Sequence, residues 1–337
     1  MKTQILSTKD THIAAEILRS GGLVAIPTET VYGLAANALD VEAVRKIFVA
    51  KGRPSDNPLI VHISHVNEAK PLVKEFTKEA QLLAEAFWPG PLTIILKKSE
   101  IVPDVISGGL DTIAIRLPAH SIAQKIIKEA GCPLAAPSAN LSGNPSPTKV
   151  LHVAADLSGK IDAIVNAGPC DVGLESTVVS LCTKIPKVLR PGAITLEQLK
   201  TVLSNIEVDA AVLSQLSHNE KPLSPGMKYR HYSPKAQIII INGNREQYIN
   251  YVNSHTGANI AALCYEEDIP DLRVFCVPYG SENNLLQQAT HLFESLREID
   301  KIDAVDTVYA RCPSCEGIGL AVYNRLIRAA GFNIVNL

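Results

Sequence analysis

The sequence predicts an α/β protein built in two parts, and three observations carry that reading. At 337 residues the chain is longer than a single hydrophobic core usually serves. Short apolar runs of strand length alternate with stretches whose apolar residues recur at the helical period. Periodicity then lapses from about residue 205 to 235 and resumes as a second β/α alternation. This divides the chain into a domain at 1–204, a linker at 205–235 and a domain at 236–337.

In the first domain, Leu23–Pro27 is an apolar run suited to a buried strand. Asp40 is placed to cap a helix in which Val41, Val44, Ile47 and Phe48 share a face. That helix delivers Lys51 and Arg53 to its C-terminal end. Pro58–Ile63 and Leu92–Leu96 read as buried strands. Thr112–Leu117 alternates, with Ile113, Ile115 and Leu117 on one face and Thr112, Ala114 and Arg116 on the other. A strand that carries Thr and Arg on its second face is a candidate wall of a polar site. Leu134–Ala136 leads into the small, hydroxyl-rich loop at 137–143. Ala163–Val165, Thr177–Leu181 and Val188–Leu189 supply further strands, and Leu196–Leu203 a helix. In the second domain, strands are expected at Gln237–Asn242, Ile260–Tyr265, Val274–Val277 and Ala304–Ala310. Helices are expected at Glu246–Ser254, Leu285–Glu298 and Leu320–Ala330.

Composition narrows the function classes. Hydrophobic content of 46% with 20% charged residues describes an ordinary globular chain. A formal net charge of −2 argues against broad electrostatic capture of nucleic acid. The N-terminal MKTQILSTKD has no apolar core of a signal peptide, and no run is long enough for a bilayer, so the expectation is a cytoplasmic protein with no membrane partner. Seven scattered cysteines fit reduced thiols.

The segment Lys51-Gly52-Arg53-Pro54-Ser55-Asp56-Asn57-Pro58-Leu59-Ile60-Val61-His62 is the most informative. It sets two cations, a turn and an amide ahead of an apolar strand that ends in histidine. Lysine offers a point charge and arginine a planar pair of donors, the combination that neutralises phosphate. A helix C-terminus also favours cations without any ligand. The added Asn57 and His62 favour a polyanion site. No second His, Cys or carboxylate stands at metal-ligand spacing from His62, so no protein metal site is expected. Cys312-Pro313-Ser314-Cys315 is a single CxxC and reads as a plain loop. Gly317-Ile318-Gly319 has Val322 where a dinucleotide fingerprint needs its third glycine. Glu175-Ser176-Thr177 and Arg190-Pro191-Gly192 lie at strand ends, where open α/β sheets place ligands. The 224–234 stretch, SPGMKYRHYSP, is unusually aromatic and basic for a linker.

Seven segments in order carry a resemblance: PTETVYGL at 27–34, KGRPSDNPLIVH at 51–62, FWPGPLT at 87–93, IAIRLPAH at 113–120, APSANLSG at 136–143, ESTVV at 175–179 and LRPG at 189–192. Together they resemble the threonylcarbamoyl-AMP synthase family, whose catalytic unit is the YrdC-type domain. The PGMKYRHYSP linker and the C-terminal part are similar to the long, two-domain form. The resemblance implies a twisted mixed β-sheet with flanking helices, followed by a smaller Rossmann-like open α/β domain. It implies that L-threonine, bicarbonate and ATP are converted to L-threonylcarbamoyl-adenylate and pyrophosphate. The carbamoyl group would pass, through a downstream threonylcarbamoyl-transferase complex, to adenosine 37 of tRNAs that read codons beginning with A. On this resemblance Thr30, His62, Arg116, the Ala136 backbone and Ser176 hold threonine. Lys51, Arg53, Asn57, Thr112, Ser138, Ser146 and Arg190 contact ATP, and Tyr232 of the linker closes over the nucleotide. Lys51 and Arg53 are the expected catalytic cations. Mg²⁺ is expected to travel with ATP, and little direct tRNA binding is expected.

Two other readings fit the sequence less well. An RNA-binding module needs a basic stripe with exposed aromatics, which a net charge of −2 and 5% aromatic residues supply poorly. A carbamoyl transferase of the hydrogenase-maturation type needs acylphosphatase and paired zinc-finger segments, for which the sequence has no counterpart.

Overall fold

The structure is a computed structural model that describes residues 2–214 and 232–337. The described residues form two compact units. The first holds residues up to 214 except Gly143–Pro145 and Val172–Leu174; the second holds those two segments and residues 232–337.

In the first unit, β1 (Gln4–Ser7), β2 (Val24–Ile26), β3 (Gly33–Asn37), β4 (Ile60–His62), β5 (Leu92–Lys97), β6 (Thr112–Arg116), β7 (Leu134–Ala135), β8 (Ala163–Asn166), β9 (Thr177–Ser180), β10 (Lys187–Arg190) and β11 (Glu207–Val208) make one mixed sheet. Its order is β1-β8-β2-β3-β7-β4-β6-β5-β9-β10-β11. Neighbours β4 and β6 run parallel, as do β5 and β9, whereas β5 and β6 run antiparallel. The flanking helices are α1 (Thr11–Arg19), α2 (Val41–Lys51), α3 (Lys78–Phe87), α4 (Asp104–Ser107), α5 (Ser121–Ala130), α6 (Val150–Leu157) and α7 (Leu196–Val202).

The largest core joins the apolar face of α2 (Val44, Ile47, Phe48) to Val61, Ile94, Ile113 and Ile115 of the sheet. Asp40 caps α2 as its sequence position predicts, accepting from the Glu42 and Ala43 amides. Gly52 ends the helix at φ 60°, a left-handed position natural to glycine, and so leaves Lys51 on the last turn. Gly192 is required for another reason. A Cβ there would lie 2.4 Å from the Thr177 nitrogen, so only glycine lets the loop after β10 approach the start of β9.

The second unit is an all-parallel open sheet, β14-β13-β15-β12-β16, made from β12 (Gln237–Asn242), β13 (Ile260–Cys264), β14 (Phe275–Pro278), β15 (Thr307–Arg311) and β16 (Ile334–Asn336). Its helices are α8 (Arg245–Ser254), α9 (Leu285–Ile299) and α10 (Gly319–Ala329). Arg311 is buried at the end of β15 and pairs with Asp268 at 2.9 Å and Glu282 at 2.8 Å. No helix among the described residues is long and apolar enough to cross a membrane.

Several boundaries shift by a residue or two from the sequence expectation, and two of the differences have a clear physical cause. The aperiodic stretch expected from 205 contains β11, which pairs in parallel with β10; two residues are too few to show a period. The strand expected at Ala304–Ala310 begins at Thr307, because Ala304 takes φ 64° and turns the chain. Residues 224–231 of the aromatic, basic linker motif lie outside the described residues.

Candidate active site

The polar site grows from one face of the central strands. Register places His62 of β4 and Thr93 of β5 on either side of Arg116 of β6. The next row toward the other end of the strands is apolar: Ile60, Ala114 and Ile95 cluster there with Val178 and Leu189. The alternation read in Thr112–Leu117 is therefore real. Ile113 and Ile115 enter the main core, while Arg116 faces the polar side. Thr112 sits at the opposite end of β6 from Arg116, four residues or about 13 Å away along the strand.

Arg116 is the hub of the site. It is buried, and each of its three guanidinium nitrogens has a partner. Nη1 donates to Thr30 Oγ1 at 2.9 Å and Nε to the Gly90 carbonyl at 3.3 Å, while Nη2 is ion-paired with Glu29 Oε1 at 2.6 Å. Thr30 Oγ1 also lies 2.8 Å from Thr28 Oγ1, and the Thr28 hydroxyl donates to the Val31 carbonyl. Burial pushes the Glu29 carboxyl up, but Arg116 outweighs it and leaves the group below the usual carboxylate range.

His62 is fully enclosed beside this pair. Burial and then the Arg116 charge push its imidazole down to about 3, so it is neutral at physiological pH. Its Nδ1 has no hydrogen-bond partner. A stability dependence follows, with its sign fixed by the depressed value. Between pH 6.5 and about 3 the unfolded chain takes a proton that folded His62 refuses, so stability is full above 6.5 and falls below it. Denaturant unfolding at pH 7 and pH 5 is expected to show wild type losing about 2 kcal/mol more than a His62→Gln variant. Equal losses in the two proteins would contradict a neutral buried His62.

A second network continues across the sheet. Ser176 Oγ lies 2.8 Å from Thr93 Oγ1, and Arg190 spans Ser176, with Nη2 on its hydroxyl at 3.1 Å and Nε on its carbonyl at 3.0 Å. Ala136 extends β7 along β4, its amide donating to the Ile60 carbonyl at 2.9 Å. Ser146 Oγ donates to Glu175 Oε1 at 2.5 Å.

Lys51 does more than present a charge. Its side chain turns inward, and Nζ donates to the carbonyls of Ser138 and Asn140, both at 2.5 Å. Its own carbonyl accepts from the Ser142 amide at 2.8 Å. Lys51 thus fastens the 138–142 loop to the end of α2, and that loop is also tied to the residue just before β3 by the Ala139 amide on the Tyr32 carbonyl. Burial and then Arg53 hold the Lys51 ammonium well below its usual range. Arg53 Nη2 donates to the Pro58 carbonyl at 3.0 Å and, more loosely, to that of Asn57. Asn57 is buried with no hydrogen-bond partner for Oδ1.

The structure thus joins Thr30 to Arg116, sets His62 beside Arg116, and joins Ser176 to Arg190, Lys51 to Ser138 and Arg53 to Asn57. Ser146 is tied to Glu175, and Thr112 stands apart from these pairs. Tyr232 belongs to the second unit, where its buried ring lies 5.0 Å from that of Phe293 on α9 and its φ is 64°. Sequence reasoning gave no role to Glu29 or Thr93, and noted Glu175 only as part of a polar strand end. The available signal was a carboxylate or hydroxyl inside a run otherwise destined for the interior.

Fold and site together define an α/β protein with a buried polar site: cations, hydroxyls and a neutral histidine stand on the polar face of a mixed sheet. Comparison with known proteins gives the family. A family model described as "Telomere recombination" matches residues 16–192, and one described as "Threonylcarbamoyl-AMP synthase, C-terminal domain" matches 194–331. The threonylcarbamoyl-AMP synthase of Pyrococcus abyssi is 46% identical over 96% of this chain and 95% of its own. That of Bacillus subtilis is 45% identical over 99% and 97%. The crystal structure of P. abyssi Sua5 complexed with L-threonine superposes with a TM-score of 0.92 at 43% identity, covering 99% of this chain and all of the other. The chain belongs to the threonylcarbamoyl-AMP synthase family.

Proposed function

We propose that this protein makes L-threonylcarbamoyl-AMP and pyrophosphate from L-threonine, bicarbonate and ATP. Threonylcarbamoyl-AMP synthesis is what its relatives are named for, at high identity over nearly the whole chain. The observation that carries the reading at the level of residues is the buried Arg116 hub, which offers a cation, a hydroxyl and an anion within one small site. Arg116, Thr30, His62, the Ala136 backbone and Ser176 receive threonine. Lys51, Arg53, Asn57, Thr112, Ser138, Ser146 and Arg190 receive ATP. The apolar row of Ile60, Ala114 and Ile95 between Thr112 and Arg116 suits a nucleoside laid along the sheet.

The chemistry asks for alignment and charge neutralisation more than for a protein nucleophile. The amine of threonine combines with bicarbonate to give a carbamate and water, and the ammonium proton is released. A carbamate oxygen attacks the α-phosphorus, the bond to the β-phosphate bridging oxygen breaks, and pyrophosphate leaves with that electron pair. Lys51 and Arg53 neutralise charge on the triphosphate, with Mg²⁺ arriving on ATP as part of the substrate. Held neutral, His62 offers the substrate a hydrogen bond without adding a charge beside Arg116. The reaction takes place in the cytoplasm, and the labile product goes to a threonylcarbamoyl-transferase complex acting on adenosine 37 of tRNAs reading codons that begin with A. Pyrophosphate release from ATP, assayed with L-threonine and bicarbonate each present or omitted, is expected to require both. Release that ignores threonine would overturn the reading.

A further inference from the structure

We infer that Glu29 is the residue that selects for the amino end of the substrate, an inference that rests on the threonine-dependent reading above. Glu29 is 7% exposed, and its carboxylate is ion-paired with the equally buried Arg116. A lone buried charge is costly, and a buried pair seldom stabilises a fold more than apolar residues of the same volume would. The pair therefore calls for a reason beyond stability.

The surroundings supply one. Neither Glu29 oxygen closes a well-formed hydrogen bond, and the neighbouring His62 leaves Nδ1 without a partner. The Ala119 amide adds to the field on the carboxylate without satisfying it. Buried polar atoms are almost always satisfied, so this concentration beside one guanidinium marks a place where a polar ligand completes the bonding. Its charge pattern gives the ligand class. An anion and a cation 2.6 Å apart form the counterpart of an α-amino acid, whose ammonium and carboxylate are held close and opposite in sign. Laid alongside, the ammonium faces Glu29 and the carboxylate faces Arg116. Each substrate charge then meets an opposite charge in a water-poor setting, where such contacts are strong. An α-hydroxy acid of the same shape would leave the Glu29 carboxylate facing a neutral group.

The test compares L-threonine with its 2,3-dihydroxybutanoate analogue, identical except for hydroxyl in place of the amine. Affinities are measured by titration calorimetry on the full chain, with ATP binding as a check of an intact site. Wild type is expected to prefer L-threonine on the order of a hundredfold or more. Glu29→Gln is expected to narrow that preference to about tenfold or less, through lost threonine affinity, with ATP affinity within about threefold of wild type. Glu29→Asp keeps the charge but withdraws it by one methylene and is expected to fall between; it serves alone should the Gln variant not fold. If the two ligands weaken together and their ratio stays at the wild-type value in either variant, Glu29 only holds Arg116 and the inference is overturned. A wild type that binds L-threonine without preference overturns the inference alone. A wild type that does not bind L-threonine at all overturns the proposed activity and the inference with it.

Discussion

Replacing Arg116 with alanine is expected to lower threonine-dependent pyrophosphate release by at least about a thousandfold and to lower stability by about 3–5 kcal/mol. The stability loss has a specific source. Arg116 is 4% exposed and is the ion-pair partner of Glu29, so its removal leaves a buried carboxylate with no compensating charge. It also takes the donor from Thr30 Oγ1 and from the Gly90 carbonyl. Two further variants separate folding from chemistry. Arg116→Lys keeps the charge, but a point ammonium cannot serve Thr30, Gly90 and Glu29 in the fixed directions of a guanidinium. It is expected to fold and to raise the KM for L-threonine more than tenfold, with the KM for ATP nearly unchanged. In a double-mutant cycle, Glu29→Ala combined with Arg116→Ala should recover part of the lost stability, because both charges leave together. Steady-state kinetics and denaturant unfolding provide the measurements. A wild-type KM for threonine in Arg116→Lys would remove Arg116 from the threonine site.

The second large effect is expected at Lys51. Lys51→Met keeps most of the side-chain volume and removes the ammonium. The Ser138 and Asn140 carbonyls then lose a shared donor inside the protein, at a cost of about 1–3 kcal/mol. The proposed charge against the triphosphate disappears as well, and turnover at saturating ATP is expected to drop on the order of a hundred- to a thousandfold. Arg53→Met serves as the contrast. Its Nη2 donates to the Asn57 and Pro58 carbonyls of its own loop, whereas Lys51 ties α2 to the 138–142 loop, so it should lose turnover with a smaller loss of stability. Lys51→Met that turns over normally would mean that Lys51 only fastens the 138–142 loop and that the phosphate charge comes from elsewhere.

These two residues show how the sequence could be read and where reading stopped. KGRPSDNPLIVH marked Lys51 as a phosphate cation beyond a helix end, and α2 does end there, capped by Asp40 at its start and Gly52 at its finish. Local capping chemistry and a helical apolar stripe are visible in a linear string. That the Lys51 ammonium turns inward to two carbonyls some ninety positions later is not visible, because no local rule couples those segments. Arg116 was legible as a polar-face residue from the alternation of Thr112–Leu117. Its partner Glu29 was not, although it lies inside a quoted motif, since a carboxylate near a turn reads as solvent-facing until burial is known.

The sequence by itself determined the α/β class, the two-part organisation, the strands that carry the site and the family to which the chain belongs. Periodicity, capping and motif order are properties of neighbouring residues, and they survive without coordinates. Only the tertiary structure decided which strands lie side by side. The order that sets β6 between β4 and β5 puts His62, Arg116 and Thr93 in one row. Burial then decided their charge states, forcing His62 neutral and joining Glu29 to Arg116. Those outcomes depend on the cost of removing charge from water, which is set by everything packed around a residue and not by the residues beside it in the chain.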